Sequence, residues 1–141
     1  MKTLPTRLAF HGAIVLLAGM IAGMPYGIAI VEQWGDAPIK AWKLAHQEGL
    51  LNGLLMLVFA ALLFQVSLGK RINSTIFWSL LICGYGNIIG SIIAAASGYR
   101  GMMPTGPLLN WLVFIPFNAA VIAAFVAVLA FLVGCYRARG Q

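Results

Sequence analysis

The stretch that decides the fold is AWKLAHQEGLLNG, residues 41–53, which opens a long apolar segment. It brings a histidine, an acid, an amide and two glycines together in thirteen residues. Side chains three, four and seven positions apart lie on one face of a helix. The spacing therefore predicts that His46 shares a helical face with Gly49 and Gly53, which form a strip without side chains.

This glycine strip has two interpretations. It offers a flat surface for a macrocycle, below an imidazole that binds the metal. Alternatively, it is a packing surface for a second helix, because small residues let helices approach closely in lipid, and His46 is then an interfacial residue at a helix end. Asn52 lies six residues beyond His46, within reach of the same region if the helix is regular.

The composition places the chain in a membrane. Of its 141 residues, 62% are hydrophobic and 9% are charged, against about 25% charged in a soluble domain. The net charge of +6 does not indicate nucleic-acid binding, because the basic residues separate apolar runs and form no cluster. Cys83 and Cys135 lie inside apolar runs, so neither a disulfide framework nor a zinc-type spacing is indicated.

Four apolar segments predict four membrane spans, at residues 8–30, 44–68, 74–96 and 108–135. Each exceeds the roughly 20 residues needed to cross a bilayer core. The first is also longer than the 7–15-residue core of a signal peptide, so we interpret it as a retained span. We predict one all-α domain over residues 1–141, a bundle of four transmembrane helices running up-down-up-down.

The basic residues predict the orientation of the bundle. The N-terminus, the second link and the C-terminus share one side of the membrane and carry six basic residues and no acid: Lys2, Arg7, Lys70, Arg71, Arg137 and Arg139. The other side mixes three basic residues with three acids, Glu32, Asp36 and Glu48. Since cytoplasmic loops are enriched in Lys and Arg, both termini are predicted to be cytoplasmic.

Polar residues inside spans are few, and such residues tend to be functional. Asn52 and Asn87 lie deepest, and each is either an interhelix hydrogen-bonding group or a group that orients a ligand. No carboxylate is expected deep in a span, which argues against a proton relay or cation transporter. His11 and His46 open successive antiparallel spans, so they are not expected to bind one metal within a subunit.

Several motifs follow the order found in one known family. They are His11-Gly12 in span one, Trp42-x-x-Ala45-His46-x-x-x-x-x-Asn52-Gly53 in span two, Gly84-x-x-Asn87 in span three, Arg100-Gly101 and Gly106-Pro107 in the third link, and Pro116 in span four. With these motifs, the chain resembles the styrene oxide isomerase family of small four-span bacterial membrane enzymes.

The resemblance implies a homotrimer in the bacterial inner membrane that binds heme b near its subunit contacts. His46 matches the axial iron ligand and Asn52 an asparagine that faces the substrate. Ferric heme acts in this family as a Lewis acid that converts an aryl epoxide into an aldehyde, a Meinwald rearrangement. We therefore expect His46, Gly49 and Gly53 to bind the heme, and Asn52, Asn87 and Tyr85 to serve catalysis on a small hydrophobic epoxide.

The chain departs from the family pattern at three positions in span three. Cys83 stands where the family has an aspartate, Ser91 where it has an active-site tyrosine, and Tyr85 where it has a tryptophan. Three hypotheses follow: a heme-dependent epoxide isomerase, a non-catalytic heme protein for electron transfer or sensing, and a heme-free membrane subunit that packs against a partner.

Overall fold

The computed structural model describes residues 3–66 and 68–139 of the chain. It contains four α-helices, α1 (Leu4–Val31), α2 (Asp36–Gln65), α3 (Lys70–Ser97) and α4 (Leu108–Ala138), and no strand in the described ranges. Every helix is long and apolar enough to cross a membrane. The predicted all-α, four-span fold is confirmed, and the chain is a multi-pass membrane protein. Lys2 and Gln141 lie outside the described residues.

The outer surface of the bundle is apolar. Large side chains are exposed on all four helices, among them Phe10, Leu51, Trp78 and Phe125. A soluble protein does not leave this much contiguous apolar surface in contact with water. These side chains therefore face lipid, and the helices are held together by the smaller residues between them.

The helices pack in chain order around α3. The α1 and α2 helices form the closest pair, and α3 contacts both of them. The α4 helix packs mainly against α3, and its Phe131 ring also meets the Phe59 ring of α2, with centres 5.2 Å apart. The guanidinium of Arg7, near the start of α1, lies 5.2 Å from the ring centre of Phe77, near the start of α3. These two helices therefore run in the same direction, as the up-down-up-down order requires.

Glycines make the close contact between α1 and α2. A Cβ at Gly49 would collide with the backbone of Gly19, and one at Gly53 would lie 2.6 Å from the backbone nitrogen of Leu16. The predicted side-chain-free strip of α2 is thus covered by α1 within the subunit. This is the packing interpretation of the strip, and it leaves no room there for a macrocycle in a single subunit.

The α2 helix differs from the predicted span at both ends. It begins at Asp36, eight residues earlier than expected, and ends at Gln65, three residues earlier. Gly35 has φ of 91°, which lets the chain turn sharply into the helix. Asp36 in the first turn complements the helix dipole, and Pro38 fits there because early backbone N–H groups need no helical partner. The earlier start places His46 and Glu48 well inside α2.

The third link is fixed by one side chain. The Oδ1 atom of Asn110 accepts a hydrogen bond from the backbone N–H of Gly101 at 3.0 Å. Its Nδ2 atom donates to the carbonyl oxygens of Met103 and Thr105, both at 2.7 Å. One asparagine therefore ties the link to the first turn of α4 and shapes the surface next to it.

Candidate functional site

His46 lies in the contact between α2 and α1. Its Nδ1 atom is 2.8 Å from the carbonyl oxygen of Gly19, and its ring stacks on Tyr26 with centres 6.3 Å apart. A carbonyl oxygen can only accept, so Nδ1 carries the proton and donates it. The lone pair of the neutral imidazole is then on Nε2. A metal-binding histidine commonly has this arrangement, with its other nitrogen donating to a carbonyl.

A glycine-lined groove on α1 adjoins the His46 ring. A Cβ at Gly23 would lie 2.8 Å from Nδ1 of His46, and one at Gly27 would meet nothing within 4 Å. The groove has a volume of about 390 Å³ and is lined by Gly23, Met24, Gly27, Ile28, Val31 and Glu32. The open side-chain-free surface near His46 is therefore on α1, whereas the sequence placed it on α2.

Few side chains near His46 could join it in coordinating a metal. Within the described residues, no group of three or more His, Cys, Asp or Glu side chains is arranged to hold a metal ion. A metal on Nε2 would then take its remaining ligands from a bound group. A single imidazole nitrogen with a lone pair, on a ring that borders a mainly apolar groove, fits a heme as that group.

Asn52 joins a buried polar cluster between α2 and α3. Its Oδ1 atom accepts hydrogen bonds from the Cys83 thiol at 3.3 Å and from Nδ2 of Asn87 at 3.2 Å. Its Nδ2 atom donates to the carbonyl oxygen and to the carboxylate Oε2 of Glu48, both at 2.8 Å. Asn52 is 7% exposed. The structure thus brings Asn52 and Asn87 together, as an interhelix hydrogen bond.

Glu48 lies further inside α2 than the predicted span suggested. It follows Asp36, the first residue of α2, by twelve positions, about 18 Å along the helix axis. It is half-buried, and its carboxylate reaches the buried Asn52. Because the predicted span began at residue 44, Glu48 was expected near the membrane surface. Its spacing of four from Asn52, which puts the two on one helical face, was the signal that could have found it.

His46 and Asn52 lie on different faces of α2 and contact different helices. Six residues of helix place them about 120° apart around α2, so His46 contacts α1 whereas Asn52 contacts α3. The regular helix does not bring them into one region within a subunit.

A cleft opens between α2 and α4, with α3 as its floor. Its volume is about 750 Å³, and its walls are mainly apolar. Of its lining residues, Ser91 is buried, whereas Leu44, Lys40 and Arg100 are exposed. The hydroxyl of Ser91 is buried, with the residue 1% exposed, and it has no hydrogen-bond partner in the described structure. An unpaired buried hydroxyl in the lining of an apolar cleft is suited to a small apolar ligand that carries one polar atom.

The polar cluster begins one helical turn beyond this cleft. Asn87 precedes Ser91 by four residues on α3, and Glu48 follows Leu44 by four residues on α2. Four residues are about one turn, so each pair lies on the same helical face. The cluster therefore adjoins the cleft along α2 and α3, on a different side of α2 from His46.

Tyr85 and His11 form a separate pair. The Tyr85 hydroxyl lies 2.9 Å from Nδ1 of His11. His46 is bonded to Gly19, which is eight residues from His11 along α1, about 12 Å. The two histidines therefore lie about two helical turns apart along α1, closer than two opposite membrane faces. Tyr85 does not join Asn52 and Asn87.

The comparison with known proteins decides the family. A family profile described as styrene oxide isomerase matches residues 4–136, nearly the whole chain. The chain belongs to the styrene oxide isomerase family. This membership makes it an epoxide isomerase-like membrane protein. The search of curated proteins gave no match.

Proposed function

We propose that this chain is a heme b-dependent isomerase that converts a small hydrophobic epoxide into a carbonyl compound. The observation that carries the proposal is the hydrogen bonding and surroundings of the His46 ring. Its Nδ1 atom is held by the carbonyl oxygen of Gly19, which leaves Nε2 as the nitrogen with a lone pair, and the ring packs on Gly23 at the edge of the groove that contains Gly27. Membership of the styrene oxide isomerase family supports the reaction class.

The residues of the chain would act in distinct ways. His46 holds the heme through Nε2, while Gly19 keeps the ring in one tautomer and orientation. Ferric heme, when bound, supplies a Lewis acid that polarises the epoxide oxygen. The apolar walls of the cleft exclude water, which would otherwise trap the opened epoxide as a diol. The rearrangement needs no net redox change and no external proton.

The proposal includes an oligomer, because His46 and the cleft lie on different sides of α2. We propose a homotrimer in the bacterial inner membrane in which His46 of one subunit serves the cleft of a neighbouring subunit. The exposed groove at Gly23 and Gly27 is free for such a contact. Native mass spectrometry in mild detergent should then give trimers that carry heme, and a purely monomeric protein would contradict this part.

The test of the proposal is spectroscopic and chemical. The protein should be purified in detergent from heme-replete cells and offered a panel of aryl and alkyl epoxides. We expect a Soret absorption band and conversion of at least one epoxide to a carbonyl product without added reductant. A colourless preparation would contradict heme binding. A coloured preparation that converts no epoxide would support the non-catalytic heme protein, consistent with Cys83 and Ser91 replacing the family residues.

A further inference from the structure

The charged residues that line the cleft between α2 and α4 are all cations. Within the described structure they are Lys40 of α2 and Arg100 of the third link, and both are exposed. The other lining residues are apolar or uncharged. A cleft lined by charge of one sign raises the local concentration of ligands of the opposite sign. The lining therefore favours a ligand that carries an anionic group.

Arg100 is the more available of the two cations. The ion pair found in the described ranges joins Lys40 to Asp36, with 3.7 Å between exposed side chains, so Lys40 is partly neutralised. Arg100 has no such acid within these ranges. Gly101, the next residue, is buried, and its N–H donates to Oδ1 of Asn110 at 3.0 Å. The guanidinium is therefore carried by a backbone segment that is fixed beside the cleft.

The α3 side of the cleft has little side-chain bulk. It is lined by Ser91, Ala94, Ala95 and Gly98, and their spacings of three, four and seven residues put them on one helical face. The volume of about 750 Å³ falls within the roughly 300–1,000 Å³ of pockets that hold drug-sized ligands. The cleft therefore has room for an apolar body of that size.

The Ser91 hydroxyl indicates a second polar group on the ligand. It is buried and has no hydrogen-bond partner within the described structure, and native proteins rarely leave such a group unpaired. An oxygen on the apolar body of a ligand would accept a hydrogen bond from it. The acyl chain of a membrane lipid has no such oxygen, so an oxygen-bearing ligand fits this cleft better than a lipid does.

The Ser91 hydroxyl and the two cations lie at different levels along the bundle. The α2 and α3 helices are antiparallel, and Asn52 of α2 accepts a hydrogen bond from Asn87 of α3. One turn from this pair, Glu48 on α2 and Ser91 on α3 therefore lie at about the same level. Lys40 precedes Glu48 by eight residues, about 12 Å along the helix axis. A negative charge on the ligand is thus repelled at the level of Glu48 and attracted at the level of Lys40.

We infer that the cleft binds an anionic amphiphile, an apolar body with a carboxylate beside Arg100 and Lys40 and an uncharged oxygen at Ser91. A guanidinium suits this carboxylate because it can form two parallel hydrogen bonds with it. The inference rests on the proposed function in one respect, that the uncharged oxygen is the epoxide oxygen. The substrate class is then an epoxide whose apolar chain ends in a carboxylate.

The chemistry of the proposed reaction leaves that carboxylate unchanged. One C–O bond of the epoxide breaks, and a hydride moves to the carbon that has lost its oxygen. The remaining C–O bond becomes the carbonyl bond. The product is an isomer of the substrate, so the carboxylate serves binding alone.

The experiment compares two epoxides that differ only in charge: a terminal epoxide on a medium-length alkyl chain that ends in a carboxylate, and its methyl ester. Arg100→Gln should lower kcat/KM for the acid roughly tenfold, the size expected for a hydrogen bond to a charged group, and leave the ester unaffected. Arg100→Lys keeps the charge and should retain most of the activity on the acid. The matched control is Lys43→Gln, which removes an exposed cation of α2 that does not line the cleft and should change neither rate.

A binding measurement without an epoxide tests the anion site independently of turnover. A saturated carboxylate of the same chain length should protect the wild type against a denaturing detergent, because a ligand that binds the folded state stabilises it. Its methyl ester should not. Arg100→Gln should raise the Kd of the saturated carboxylate roughly tenfold, whereas Ser91→Ala should leave it unchanged. Ser91→Ala should instead weaken binding of the epoxide-bearing acid.

The outcomes separate this inference from the proposed function. If Arg100→Gln affects the acid and the ester equally, or the saturated carboxylate gives no protection, the cleft does not select an anion and the inference is wrong. If phosphatidylglycerol added to the micelles protects the protein through Arg100 and the carboxylate does not, the cleft is a lipid site, which also overturns it. If the saturated carboxylate binds through Arg100 but no epoxide is converted, the proposed function fails and the anion site is supported.

Discussion

Gly49→Ala tests the packing of α1 against α2 through a single added methyl group. A Cβ at position 49 would collide with the backbone of Gly19 and lie 2.6 Å from its nitrogen. Ordinary contacts of a Cβ begin near 3.4 Å, and the Cα atom of Gly19 lies closer still than its nitrogen, so the backbone of α1 must move by more than an ångström. A rigid backbone, unlike a side-chain end, cannot rotate away. Overpacking of this kind costs about 1–3 kcal/mol.

The net effect on stability is smaller, because alanine favours the helix more than glycine does by up to about 1 kcal/mol. We expect Gly49→Ala to lower the free energy of unfolding by about 1–2 kcal/mol. The matched control is Gly27→Ala on α1, where a Cβ meets nothing within 4 Å. That variant gains the helix preference without a clash and should be at least as stable as the wild type.

The assay is unfolding by titration with a denaturing detergent in mixed micelles, followed by circular dichroism. If Gly49→Ala proves as stable as Gly27→Ala, α1 and α2 do not meet at these glycines, and the reasoning fails. The same displacement would move the Gly19 carbonyl away from His46, so Gly49→Ala should also weaken heme binding.

Three further predictions concern other parts of the chain. Asn110→Ala removes three hydrogen bonds of the third link. Hydrogen exchange at the Gly101 amide should therefore accelerate, and the free energy of unfolding should fall by about 1–3 kcal/mol. An unchanged exchange rate would contradict the described link. Tyr85→Phe removes the partner of His11 and leaves His46 untouched, so heme content per protein should not change; a loss of heme would place Tyr85 in the binding site. A topology reporter fused to the C-terminus should be active only in its cytoplasmic form, and activity in the periplasmic form would refute the orientation.

Much of the fold was predictable from the sequence because a membrane imposes simple rules on it. Four apolar runs of sufficient length predicted four helices, and α4 begins at Leu108 as expected. The start of α2 was missed because residues 36–43 are mixed in polarity. A hydropathy pattern detects only the apolar part of a helix, which crosses the lipid. The helix itself can extend beyond this apolar part. The same error put Glu48 in the first turns of its helix, whereas it follows the first residue of α2 by twelve positions.

The site was predictable only in part. Close helix packing and a flat cofactor both favour glycines, so the strip at Gly49 and Gly53 had two interpretations, and the neighbouring helix decides between them. Asn52 and Asn87 were identified as buried amides because polar groups in lipid seek partners. Which partner each one finds depends on the rotation of α2 against α3. A single sequence does not contain that rotation. The separation of His46 from Asn52 was, however, contained in their spacing, since six residues of helix turn through about 120° from one to the other.

The central claim is that His46 binds the heme, and heme content per protein in His46→Ala and His11→Ala tests it most directly. Both variants should be purified from heme-replete cells and assayed by absorbance after conversion to the pyridine complex. We predict that His46→Ala loses the Soret band, because the imidazole with the free Nε2 atom is gone, and that His11→Ala keeps the heme content of the wild type. Full heme content and an unchanged spectrum in His46→Ala would contradict the account.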